Sequence, residues 1–248
     1  MRIVGYSSID RVLVVSPDQI IDMSSELALM LTGRGCAGRW DGTAHLPCDS
    51  PETPYCVRCA ERADACTICR GKCLKSKKNC MIDHSVYLAV FAPSTMKVGV
   101  SRSYRLETRL MEQGADEGYE IARFPDGESA RALERALSAR FPDRLSFAEK
   151  LGTGVINRAA VGTALNGFDI FRTYTFNHFP YALTSSPIPI RPQVNMGISG
   201  RVVGIKGQAL VLKKHDTFYA VNLDSLVGFD CCEERKMKGH IQVSLAGF

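Results

Sequence analysis

The spacing of apolar positions along the chain changes period several times, and each change predicts an element. Met1-Arg-Ile-Val-Gly-Tyr6 and Arg11-Val-Leu-Val-Val15 are rich in β-branched residues and predict two paired strands. Ser85-Val-Tyr-Leu-Ala-Val-Phe91 predicts a further strand, followed by a turn containing Pro93. Met96-Lys-Val-Gly-Val-Ser101 completes a hairpin, with Tyr87 on one strand and Gly99 on the other. From Tyr104 to Gln113 the spacing becomes helical, and Gly114 marks the stop. Tyr119–Phe124 reads as a third strand and Pro125-Asp-Gly as a turn. Asp126 or Ser129 can cap a helix over Glu128–Phe141.

The flanks read differently. A short helix is expected over 155–165, then an aromatic stretch from Phe168 to Tyr181. Those aromatics form core or stack on bases. Ser185–Pro192 is a stiff, extended connector, and Gly197–Phe229 reads as a β-meander turning on glycines. The N-terminal strands are expected to complete this meander into a barrel. The fold class is α+β in five segments. These are a β segment over 1–35, a cysteine-rich zinc-knuckle module over 36–82, a small α/β domain over 83–152, a connector over 153–192, and a β-barrel-like module over 193–248.

Composition narrows the class. The 248 residues are 45% hydrophobic and 23% charged, with a net charge of +5. That excludes collagen-like and disordered chains. No signal-peptide pattern and no apolar run of about 20 residues occurs. A cytoplasmic protein without a membrane partner is expected.

Cysteine changes the picture most. Eight of ten cysteines fall between positions 36 and 80: Cys36, Cys48, Cys56, Cys59, Cys66, Cys69, Cys73 and Cys80. Cys56–Cys59 and Cys66–Cys69 are C-x-x-C pairs, a spacing that lets one tight turn aim two sulfurs at one ion. Zinc takes four tetrahedral ligands, so eight thiolates fit two four-cysteine sites. Spacing leaves the partition open. An iron–sulfur cluster is the competing cofactor, since Cys66, Cys69 and Cys73 share part of a ferredoxin spacing. His45 and His84 are read as non-ligands, and Cys231 and Cys232 lack metal spacing. Arg70, Lys72, Lys75, Lys77 and Lys78 either compensate thiolate charge or form a phosphate-binding patch.

The helix over 128–141 carries an anomaly. At about 100° per residue, Glu134 falls among Ala130, Leu137 and Phe141, on the apolar side. Arg109 lies beside the stripe of the preceding helix. Either the two form a buried salt bridge, or they converge on one phosphate or metal site. In order and spacing, Val86-Tyr87, Lys97-Val98-Gly99, Arg109 and Glu134 resemble the GIY-YIG nuclease superfamily. The cysteine cluster followed by His-x-Val-Tyr-Leu-Ala, Lys-Val-Gly-Val and Glu-Gln-Gly-Ala is also similar to an uncharacterised prokaryotic family with a zinc-binding cysteine cluster.

The nuclease resemblance implies roles. Glu134 would hold magnesium or manganese, Arg109 would neutralise the scissile phosphate, and Tyr87 would orient or deprotonate water. Lys97 replaces the family's second tyrosine. It would bind phosphate, or mark a domain that binds nucleic acid without cutting it. Tyr104 is a candidate substitute for the missing tyrosine, and Arg105 a candidate phosphate contact. Two functions are therefore expected: a metal-dependent endonuclease on DNA or RNA, or a non-catalytic nucleic-acid-binding protein. Oligomeric state is not legible.

Overall fold

The computed structural model of the protein describes residues 1–17, 19–41, 44–60, 80–152 and 154–233. It is a mixed α/β structure, mostly strands. In chain order the first strands are β1 (Arg2–Ser7), β2 (Val12–Ser16), β3 (Gln19–Asp22) and β4 (Glu26–Arg34), then the hairpin β5 (Arg39–Asp41) and β6 (Ala44–Leu46) and the short helix α1 (Val57–Ala60). Next come β7 (His84–Phe91), β8 (Thr95–Arg102), α2 (Leu106–Gln113), β9 (Glu117–Phe124), α3 (Gly127–Leu137), α4 (Phe147–Leu151), α5 (Arg158–Leu165) and β10 (Arg172–Thr175). The chain continues through β11 (Ile188–Ile190), β12 (Met196–Lys206), β13 (Ala209–Lys214), β14 (Thr217–Asn222), α6 (Leu223–Leu226) and β15 (Phe229–Glu233). Two compact units result. One comprises 1–63, 187–204 and 210–248, the other 64–186 and 205–209.

The first unit is built on a nine-stranded sheet in the order β11-β14-β13-β12-β4-β15-β1-β2-β3. The N-terminal strands and the C-terminal meander do share one sheet, through β1 against β15 and β12 against β4. The sheet does not close into the expected barrel. Its edges are β11 and β3, and among the described residues they do not pair with each other. Closure abolishes edges, whereas β11 carries Pro189, which has no N–H to donate and belongs at an edge. The expected connector over 185–192 therefore contains an edge strand, parallel to β14.

The second unit has a four-stranded antiparallel sheet, β10-β9-β7-β8. Alternate residues of β7 feed two cores, which is why Val-Tyr-Leu-Ala-Val-Phe is apolar without a break. Val86, Leu88 and Val90 pack with Ala130, Phe141 and Val161. Tyr87, Ala89 and Phe91 pack with Leu106 and Leu110 of α2. Helix α2 ends at Gly114, whose φ of 74° is the left-handed conformation glycine adopts freely. Asp126 caps α3 by accepting from Ser129 N at 2.7 Å. In the aromatic stretch, Phe168 packs on the first core, and Tyr174 and Phe176 on the second.

Candidate functional site

Chemistry-bearing side chains gather in two places, one in each unit. In the first unit, Cys36 follows β4, Cys48 follows the β5–β6 hairpin, Cys56 immediately precedes α1 and Cys59 lies within it. Their sulfurs all lie within 4.8 Å of one another. That four-thiol donor set suits a tetrahedral zinc site closed to substrate, because four protein ligands fill the coordination shell. Backbone N–H groups face the sulfurs: Gly38 N donates to Cys36 Sγ at 3.4 Å, and Cys56 N does so at 3.3 Å. The Cys59 backbone N–H, ahead of neighbouring thiols, pulls the Cys56 thiol down to about 7. Burial, reinforced by those thiols, pushes Cys59 up to about 12. Four thiols in contact cannot all ionise without a cation, and that is the electrostatic demand zinc meets.

Arg2 completes this centre. Its Nη1 donates to the carbonyls of Cys36 and Cys48, both at 3.1 Å. Its Nε and Nη2 form a two-pronged pair with Asp230 at 2.9 and 3.0 Å. A β-carbon on Gly33 would stand 2.8 Å from Asp230 Oδ2, and one on Gly35 would stand 2.9 Å from Arg2 Cζ. Glycine at both positions makes room for the pair. The hydrogen bond that Arg2 donates to Asp230 raises the Arg2 pKa, so the guanidinium stays charged.

Among the described residues, the cysteine partition that spacing left open narrows to one group that could hold a metal. Cys80 is not among the four clustered thiols, and its carbonyl accepts from Gly127 N at 2.9 Å. Cys66, Cys69 and Cys73 lie outside the described residues, as do Arg70, Lys72, Lys75, Lys77 and Lys78. A second zinc site is not shown. Neither His45 nor His84 joins the cluster: each ring meets a backbone carbonyl, of Ala37 and Ile82 respectively, at 2.7 Å. Cys231 and Cys232 sit on β15, where burial pushes the Cys231 thiol up to about 11.

In the second unit, β7, β8, α2 and α3 bring Tyr87, Lys97, Arg109 and Glu134 into one electrostatic neighbourhood. Tyr87 is 1% exposed and lies over Gly99, its partner in register. A β-carbon at Gly99 would overlap the Tyr87 hydroxyl. Gln113 Nε2 donates to that hydroxyl at 2.7 Å, while Gln113 Oε1 is buried without a partner. Burial raises the Tyr87 pKa; the charge of Arg109 opposes this and that of Glu134 adds to it. Lys97 is 8% exposed. Burial, then the charges of Lys150 and Arg109, pull its amine down to about 8, with Asp143 and Glu134 opposing.

The salt bridge offered as one explanation for Arg109 and Glu134 does not form. Arg109 reaches Glu112 on its own helix at 3.4 Å, and Glu134 pairs with Arg131 at 2.9 Å. Partners three residues along the same helix are within reach without any tertiary adjustment. The Glu134 side chain is 15% exposed, as its place beside the apolar stripe predicts. Arg105 binds Glu112 at 2.8 Å. Tyr104 stands beyond the end of β8, 73% exposed, and its hydroxyl accepts from Arg102 Nη1 at 3.1 Å.

Residues 40–231 match the family DUF2797, described as a protein of unknown function. The chain belongs to this family. The DUF2797 match takes in three of the four clustered cysteines and all four of Tyr87, Lys97, Arg109 and Glu134. No curated protein and no solved structure matches, so the nuclease likeness rests on these residues alone. No helix among the described residues is long and apolar enough to cross a membrane.

Sequence reasoning missed Arg2, Asp230 and Gln113. Arg2 and Asp230 are 228 positions apart, and no local pattern links them. Gln113 was legible only as an odd polar residue on the apolar stripe of α2.

Proposed function

We propose that this protein is a metal-dependent endonuclease of GIY-YIG type, acting on DNA or RNA phosphodiesters and stabilised by zinc. The observation that supports the reading is that Tyr87, Lys97, Arg109 and Glu134, on four separate elements, lie near enough for the charges of Arg109 and Glu134 to act on both Tyr87 and Lys97. Lys97 and Arg109 present positive charge to a phosphate, and Arg109 offers a fork that matches two of its oxygens. Tyr87, its oxygen already accepting from Gln113, has its own proton to donate to water or phosphate. Glu134 supplies one carboxylate. Magnesium asks for one or two of these beside water and substrate oxygens, so the donor set fits that minimal demand. Bound there, magnesium or manganese supplies charge neutralisation and an acidified water. The four-cysteine centre is assigned to zinc and to structure, having no open position.

The test is cleavage by zinc-loaded protein of branched, single-stranded and duplex DNA and RNA, with Mg²⁺ or Mn²⁺. Cleavage by the wild type that falls at least about 100-fold in Glu134→Ala, with binding retained, is expected. Absence of cleavage of every substrate overturns the enzymatic reading.

One observation favours a second reading, a nucleic-acid-binding protein that does not cut. Tyr87, the water-orienting group, is almost wholly buried. On this reading the zinc module and Lys75, Lys77 and Lys78 recognise nucleic acid. Binding then depends steeply on salt, survives Glu134→Ala, and weakens when those lysines are neutralised.

A further inference from the structure

Tyr104 is the most exposed of the exposed aromatic side chains among the described residues, at 73%. An aromatic ring in water is not unusual by itself, but this one is held. Arg102 Nη1 donates to its hydroxyl at 3.1 Å, which biases the ring toward the end of β8. It sits in the 3₁₀ turn Ser103–Arg105, which joins the strand carrying Lys97 to the helix carrying Arg109. From Lys97 to Arg102 the strand runs five residues, about 17 Å at roughly 3.3 Å per residue. That is the reach of a few nucleotides of extended strand.

The surrounding charge suits a polyanion. Between positions 97 and 113 the cations are Lys97, Arg102, Arg105 and Arg109, and the carboxylates are Glu107 and Glu112. Glu112 is already shared by Arg105 and Arg109. An exposed tyrosine face tethered to an arginine, next to the proposed phosphate-binding locus, is an arrangement that can stack an unpaired base. A continuous duplex keeps its base faces inside the helix and offers nothing for such a ring to cover.

We propose that Tyr104, held by Arg102, is a stacking platform for one unpaired base, so that the substrate class is single-stranded or locally unpaired nucleic acid. The proposal rests on the nucleic-acid reading of the Lys97–Arg109 locus and specifies what that locus receives.

The experiment is fluorescence anisotropy of labelled single-stranded DNA, single-stranded RNA and the matching duplex. The full chain is used, zinc-loaded, as wild type, Tyr104→Ala, Tyr104→Phe and Tyr104→Trp. Stacking predicts that Tyr104→Ala weakens single-strand binding roughly 5- to 150-fold, while Tyr104→Phe and Tyr104→Trp stay within about threefold of wild type. Duplex binding should change less than about threefold in every variant, because it rests on phosphates. The single-strand arm that responds more strongly, DNA or RNA, names the substrate. Single-strand binding that is strong in wild type and unchanged in Tyr104→Ala overturns the platform and leaves the proposed function standing. An equal loss on duplex also overturns it, because the ring then acts on shape and not on a base. Wild-type protein that binds none of the three overturns the proposed function and the platform together.

Discussion

Arg2 is predicted to hold the zinc centre as well as the sheet, and Arg2→Ala separates those two roles. The substitution removes a two-pronged ion pair with Asp230 and two hydrogen bonds to the carbonyls of Cys36 and Cys48. The ion-paired side chains are 25% and 33% exposed, so the pair itself is worth about 1 kcal/mol. Each carbonyl bond to a charged donor adds about 1 kcal/mol once partial solvation is allowed for. The expected loss of stability is therefore about 2–4 kcal/mol. The effect on metal is separate. Partners that orient the ligand loops typically change metal affinity 10- to 100-fold, and a loss in that range is expected here. Competition with a chromophoric chelator reads the affinity, and urea unfolding of zinc-loaded protein reads the stability. Arg2→Lys keeps the charge but not the fork and should recover less than half of either loss. If Arg2→Ala loses stability while zinc affinity moves less than about threefold, Arg2 is a strand clamp only, and the assignment to the centre is wrong.

Two other substitutions test the second unit. Lys97→Met should stabilise the protein at pH 7 by up to about 3 kcal/mol, because the amine is held near 8 against an ordinary 10.5. Burial therefore penalises the charged lysine below about pH 8, and wild-type stability recovers as pH rises from 8 to 10.5, while the unfolded chain still holds the proton. The same titration predicts that phosphate affinity at this locus falls as pH passes through about 8. Urea unfolding of both proteins at pH 7 and at pH 10 checks the first point, and equal stabilities at pH 7 would sink it. Gly99→Ala should cost about 1–3 kcal/mol or more, since its β-carbon would overlap a tyrosine that has no free space to retreat into. Thermal unfolding measures this, and a neutral result would show that the Tyr87 ring is not fixed over Gly99.

The parts of the fold that were legible in the sequence are those written in short-range periodicity. The β7–β8 hairpin, with Tyr87 opposite Gly99, follows from one apolar run, a proline turn and a second run. Helix α2 and its stop at Gly114 follow from a period change and one glycine. The open sheet was not legible, and a barrel was expected in its place, because closure depends on whether two distant edges pair. Pro189 at the β11 edge was visible, but its meaning depended on knowing that β11 was a strand at all.

The candidate sites divide along the same line. Cys56 and Cys59 carry a local spacing rule and were readable as a pair. Their union with Cys36 and Cys48 was not, since gaps of eleven and seven residues obey no such rule and are closed only by the β5–β6 hairpin and the end of β4. Arg2 and Asp230 illustrate the limit further. Each alone is an ordinary charged residue on a strand, and neither signals metal. Only the antiparallel pairing of β1 with β15 sets them side by side, and only glycine at positions 33 and 35 leaves the space they fill. A charged pair set against the backbone of two candidate metal ligands is thus encoded at three separate places in the chain, each uninformative until the sheet is assembled.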